Sequence, residues 1–183
     1  MILPVFLYGE PVLRKTAREI EIDDESLKTF IPDMFETMYH AEGVGLAAPQ
    51  VGKSIRVFVI DSAPYKELYP DHEPFKGAFI NPEITERFGT DFAFTEGCLS
   101  VPQISEDVIR KSDIRINYYD ENGEFHENAV FNGVVGRIIQ HEYDHLEGKV
   151  FVDNLPQIKK MVLKRKLNDI ASGKIKPAYK TKH

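Results

Sequence analysis

The chain has 183 residues, six histidines, one cysteine and a formal net charge of -6. Its hydrophobic fraction of 42% is enough for a core and too high for a disordered chain, and the length suits one compact domain. A lone cysteine excludes an internal disulfide scaffold and points to a reducing, cytoplasmic setting. No apolar run approaches the roughly 20 residues that span a bilayer, so no membrane partner is expected.

Met1 to Leu7 is apolar but short, contains Pro4, and lacks the basic start and cleavage site of a signal peptide. Residues 24–41 place Leu27, Phe30, Ile31, Met34, Phe35 and Met38 at steps of three and four, which predicts a helix. Asp23 or Asp24 can cap its start and Gly43 its end. Pro32 inside the pattern predicts a kink or a later start. Residues 55–60 are β-branched and apolar and predict a buried strand. Residues 62–76 hold several prolines and charges and read as a surface excursion. Strand-like stretches follow at 77–94 and 108–119. Asp120, Glu121, Asn122 and Gly123 then mark a hairpin turn, with 124–131 as its return strand. Helical spacing resumes at Val134, Val135, Ile138 and Ile139. A last amphipathic segment after Pro156 places Ile158, Met161, Val162, Leu167 and Ile170 on one side and lysines on the other. Strands in runs with helices at the ends predict an α+β fold of mostly antiparallel sheet.

The net charge conceals an asymmetry. Beyond Ile158 lie nine basic residues and one acid, a balance of +8, whereas residues 1–158 hold 14 basic and 28 acidic residues, a balance of -14. The reading is a single catalytic domain over 1–172 and a flexible basic tail over 173–183. Such a tail suits an acidic surface or nucleic acid.

His141, Glu142, Tyr143, Asp144 and His145 form an HExxH pattern within a predicted helix. Residues four apart share one helical face, so both imidazoles can reach one metal ion. Glu142, beside the first of them, can reach a water in an open position of that ion. The bland alternative is a pair of solvated histidines, which the flanking Ile138, Ile139 and Leu146 disfavour. HExxH leaves the third ligand open. In the extended pattern HExxHxxGxxH the last histidine falls on Phe151, and no glutamate follows Glu147. Asp169 lies among lysines and reads as their partner. Upstream, Cys98 stands in the segment Glu96–Pro102, whose glycine, serine and proline suit an exposed turn. A buried structural cysteine is the ordinary alternative, but thiolate is a strong ligand for zinc or iron(II). His2Cys with an open fourth position is a hydrolytic arrangement. Residues 43–50, GVGLAAPQ, place two glycines where a ligand could approach the backbone closely, or simply cap a helix.

These three segments together resemble the peptide deformylase family, whose signatures are GxGLAAxQ, EGCLSxP and HExxHLxG. They stand here at 43–50, 96–102 and 141–148, and the resemblance spans roughly residues 4–155. It implies an α+β fold with antiparallel sheets around a central HExxH helix, an N-terminal helix and a C-terminal helix. It implies hydrolytic removal of the formyl group from the N-terminal formyl-methionine of nascent polypeptides, with release of formate. Cys98, His141 and His145 would hold a divalent metal, expected to be Fe2+, with Zn2+, Ni2+ or Co2+ as substitutes. Glu142 would shuttle the proton, while the Gln50 amide and the Leu99 backbone N–H would stabilise the oxyanion. Gly43, Gly45 and Gly97 would let the substrate backbone pair in extended form. Val44, Val134 and Ile138 are candidates for the methionine pocket. Asp144 could orient a ligand or be merely solvated, and Arg137 could meet a substrate carbonyl or pair with an acid. Arg110 matches a family arginine, but Ser105 stands where the family often carries another. The C-terminal helix and tail imply a possible ribosomal contact through their charge. Two rivals stand beside this reading: a zinc peptidase that shares HExxH, and a ribosome-bound protein without activity on the same scaffold.

Overall fold

Residues 1–183 are all described in the computed structural model. The first long element is helix α1, Leu27–His40, preceded by a two-residue strand β1, Val5–Phe6. The helix starts three residues later than the expected span 24–41, at the first apolar residue of its pattern, and just before it Asp24 accepts a hydrogen bond from the Ser26 N–H at 2.8 Å. It continues through Pro32, which forfeits one backbone hydrogen bond to the preceding turn.

A five-stranded antiparallel sheet follows, in the spatial order β2–β3–β4–β5–β6. Its strands are β2 Gly45–Ala47, β3 Val57–Asp61, β4 Lys76–Cys98, β5 Val101–Tyr119 and β6 Phe125–Asn132. Strand β3 has apolar residues on both faces because both faces are covered. Val57 and Val59 pack with Phe30, Met34 and Met38 of α1, whereas Phe58 and Ile60 point to the opposite core. Each such side chain, fully removed from water, contributes on the order of 2 kcal/mol. β4 and β5 form one long hairpin whose register shifts at four points, so the ribbon bends as it leaves the core. The turn at 120–124 is closed by Asp120, whose Oδ1 accepts from the N–H groups of Asn122 and Glu124.

Helix α2, Gly133–Leu146, carries the HExxH pattern and packs its Val135, Ile138, Ile139 and Leu146 onto Phe58, Ile114 and Ile116. Twelve of its residues are buried, so it is a central helix. Gly148, at φ +71°, turns the chain away, and any Cβ there would fall 2.7 Å from the Arg14 carbonyl.

Two expectations are corrected. Helix α3, Gln157–Ala171, buries only Leu167 and Ile170, while Ile158, Met161 and Val162 remain exposed. The inward face runs through 163, 167 and 170, and residue 162 lies about 100° away from it. Residues 173–183 are not a flexible tail. They fold back so that strand β7, Thr181–Lys182, pairs in parallel with β1. The Val5 N–H donates to Lys180 O at 2.9 Å and the Leu7 N–H to Lys182 O at 3.2 Å. Ile175 and Tyr179 pack against a third core made by Val5, Leu7, Val101, Phe151 and Ile170.

Candidate active site

Helix α2 and the tip of the β4–β5 hairpin bring the chemistry together. One turn of α2 places His141 and His145 side by side, with ring centroids 5.2 Å apart. Cys98, the last residue of β4, meets them from the sheet. The three ligand atoms lie within 4.8 Å of one another, and Cys98 Sγ is 3.3 Å from His145 Nε2. Both histidines are buried. The hairpin tip is not an exposed turn. Only Leu99 and Ser100 connect the two strands, and Ser100 and Val101 are fully buried.

His141 is aimed by Glu96. Its Nδ1 lies 2.9 Å from Glu96 Oε2, which leaves Nε2 for the space shared with Cys98. Glu96 and Cys98 are two apart on one strand, so they project to the same face. Burial alone would raise the Glu96 pKa. The hydrogen bonds from His141 and Arg110 outweigh it and hold the carboxyl at about 2. Arg110 Nε donates to Glu96 Oε1 at 2.7 Å, and its Nη1 donates to Asp144 Oδ2 at 2.7 Å. Asp144 therefore pairs with Arg110, and with Asn154 at 3.3 Å, rather than with a histidine. Arg137 also meets an acid: it donates to Glu96 Oε1 at 3.1 Å and to Phe92 O at 2.6 Å. Glu96 is thus the hub of two buried guanidinium groups and one imidazole, a role not assigned from the sequence. Its position two residues before Cys98 is the signal that could have found it.

Glu142 is buried and its Oε2 has no partner, as is true of His145 Nδ1. Burial is the largest influence on Glu142 and pushes its pKa up to about 7. Burial also lowers His145, and the neighbouring His141 adds to this. For His141 burial acts downward, but Cys98 and Glu96 outweigh it and raise the imidazole. Gly45 makes room for the Glu142 carboxylate. A Cβ at Gly45 would stand 2.7 Å from Glu142 Cδ and closer still to Oε1.

Gln50 is fixed at both ends. Its Oε1 accepts from the Ala47 N–H at 2.8 Å, and its Nε2 faces Ser100 Oγ at 3.1 Å and Cys98 Sγ at 3.4 Å. The Leu99 N–H has no partner among the turn and loop hydrogen bonds. A cleft of about 600 Å³ opens over these groups. Val44, Gly45, Gly97 and Ile138 line it. Val134 does not: it sits at a separate depression with Tyr69 and Phe131, because it lies about two helical turns before His141. Tyr65, Phe94 and the segment 176–179 also line the cleft. They were missed because nothing local in the sequence ties them to it.

Comparison with known proteins gives a consistent picture. The polypeptide deformylase family model matches residues 2–161. The peptide deformylase of Christiangramia forsetii is 49% identical, covering 98% of this chain and 95% of the relative. That of Flavobacterium psychrophilum is 47% identical, covering 100% and 97%. The crystal structure of a peptide deformylase from Legionella pneumophila superposes with a TM-score of 0.80 at 40% identity, covering 95% of this chain and 98% of that one. The sequence, the matched length and the shared fold agree, and the chain belongs to the peptide deformylase family.

Proposed function

We propose that the chain hydrolyses the formamide of N-formylmethionine at the start of nascent polypeptides and releases formate. The observation that carries this reading is a buried, unpartnered Glu142 beside two histidines and a cysteine whose ligand atoms converge. The donor set fits a divalent ion: two imidazoles and a thiol whose ligand atoms lie within 4.8 Å of one another. Cys98, His141 and His145 would hold it. Fe2+ is our assignment, with Zn2+, Ni2+ or Co2+ as substitutes. When bound, such an ion would supply Lewis acidity, polarising a carbonyl and lowering the pKa of a water towards about 7.

The chain's own groups do the remainder. Glu142 takes a proton from the attacking water as its oxygen bonds to the formyl carbon. The charge that develops on the formyl oxygen meets the Leu99 N–H and the Gln50 amide. As the carbon–nitrogen bond breaks, Glu142 returns its proton to the leaving amine. Glu142 is buried, unpartnered at Oε2 and lines the cleft, which places it for both transfers. Glu96 keeps His141 oriented throughout. β2 is the edge strand of the sheet, so its outer side offers unpaired backbone groups to an extended peptide. Val44 and Ile138 provide apolar contact for methionine.

No helix is long and apolar enough to cross a membrane. We assign the protein to the cytoplasm, and assign ribosome contact to α3, whose exposed Ile158, Met161 and Val162 lie among basic residues. The deciding experiment is release of formate from a formyl-Met peptide, with and without a chelator. Formate that disappears on chelation, and metal content lost in Cys98→Ser, are expected. Cleavage of internal peptide bonds without formate would overturn the reading in favour of a peptidase.

A further inference from the structure

The C-terminal segment returns to the mouth of the cleft. Lys176, Pro177, Ala178 and Tyr179 line it beside Gly43, Val44 and the hairpin tip. The Tyr179 hydroxyl donates to the Leu99 carbonyl at 2.6 Å. Leu99 and Ser100 are the whole connection between β4 and β5, and each is braced from a different part of the chain. The Tyr8 N–H donates to Ser100 O at 2.7 Å, Gln50 holds Ser100 Oγ, and Tyr179 holds Leu99 O. β1–β7 pairing in turn fixes the backbone just after Tyr179.

We infer that segment 176–179 is part of the substrate site, with Tyr179 as the positioning residue that fixes Leu99 and the segment as the wall met by the peptide beyond methionine. This rests on the deformylase reading, because Leu99 matters through its backbone N–H. Tyr179 does not touch the reacting atoms. It holds the far side of the residue that does, and without it the two-residue tip can rotate and re-aim that N–H. The side chains of Pro177 and Ala178 add apolar surface where a second or third substrate residue would lie.

The test uses the full-length, metal-loaded protein. Tyr179→Phe keeps the ring and deletes one hydrogen bond. Its kcat should fall roughly 3- to 10-fold, the range of one such bond, with KM within about twofold and metal content unchanged. Amide hydrogen exchange at Tyr8, whose N–H donates to Ser100 O, should accelerate as the tip loosens, a readout independent of activity. Tyr179→Ala should in addition raise KM for a formylated tripeptide but not for formyl-methionine alone. Wild-type kcat together with unchanged exchange in Tyr179→Phe would overturn the positioning role. An unchanged KM for the tripeptide in Tyr179→Ala, or the same fold rise for both substrates, would overturn the wall. If the wild-type protein releases no formate, the reading of the site falls, and the exchange comparison alone decides whether Tyr179 braces the tip.

Discussion

Gly45→Ala is the sharpest test of how Glu142 is held. The added Cβ would lie 2.7 Å from Glu142 Cδ and 2.9 Å from Cγ, closer than non-bonded carbons normally approach. Glu142 is buried beneath Gly45, so the carboxylate has to withdraw by about 1 Å to restore an ordinary contact. A displacement of that size at a catalytic group costs about 100-fold in rate, or roughly 3 kcal/mol of barrier. The fold should survive. Gly45 does not occupy the left-handed region, so the backbone accepts alanine, with a gain of about 0.4–1 kcal/mol from the unfolded state. Overpacking costs about 1–3 kcal/mol. The net is a melting temperature lower by roughly 2–4 °C for each kcal/mol lost. Formate release gives the rate and a thermal melt gives the stability. A Gly45→Ala protein with wild-type kcat would refute the claim that this glycine sets the position of Glu142.

Glu142→Gln removes the proton carrier and should lower kcat by about 100- to 10,000-fold. Its metal content should be unchanged, and metal loss would show a structural role instead. Glu96→Gln leaves the buried guanidinium groups of Arg110 and Arg137 without their shared carboxylate. It should destabilise the protein by about 3–5 kcal/mol in a denaturant titration, and a loss under 1 kcal/mol would sink the hub assignment. The same residue predicts a pH effect. Its folded pKa of about 2 lies below the 4.5 of an unperturbed glutamate. The stability it contributes, roughly 3 kcal/mol, is therefore complete above pH 4.5 and is lost as pH falls towards 2. An acid-unfolding curve equally steep in Glu96→Gln would contradict this. Replacing Lys160, Lys164 and Arg165 together by alanine should weaken co-sedimentation with ribosomes at low salt and leave hydrolysis of a short formyl peptide intact. Undiminished co-sedimentation would remove α3 from the interface. Deleting 173–183 is not a clean test of that contact, because Tyr179 reaches the hairpin tip.

What could be read from the sequence was whatever repeats or sits close in the chain. HExxH is visible because helical spacing puts residues four apart together, and the strand 57–61 because its apolar run is continuous. The Asn-Gly turn announced the β5–β6 hairpin. What could not be read depends on distant pieces meeting. β1 and β7 are two residues long, and β7 is mostly polar, so no periodicity marks a pairing across the length of the chain. Tyr179 stands among lysines with nothing nearby to reveal its partner. The basic composition of 173–183 suggested solvation, and backbone pairing overrode it. In α3, apolar residues on two sides were read as one stripe, because spacing alone does not tell which side faces the core. Val134 shares a helical face with the site but lies too far along the axis, a distinction that face periodicity does not capture.

The parallel pairing of Val5–Phe6 with Thr181–Lys182 has a consequence for the order of events in the life of the chain. The first strand to be synthesised waits for nearly the last residues before it acquires a partner. During synthesis the sheet and α2 can assemble, but the brace on the hairpin tip comes only after termination. The wall of the cleft formed by residues 176–179 is therefore built from some of the last residues to be made. A chain that stops short by ten residues would lack that final closure, together with the Ile175 and Tyr179 contacts to the third core.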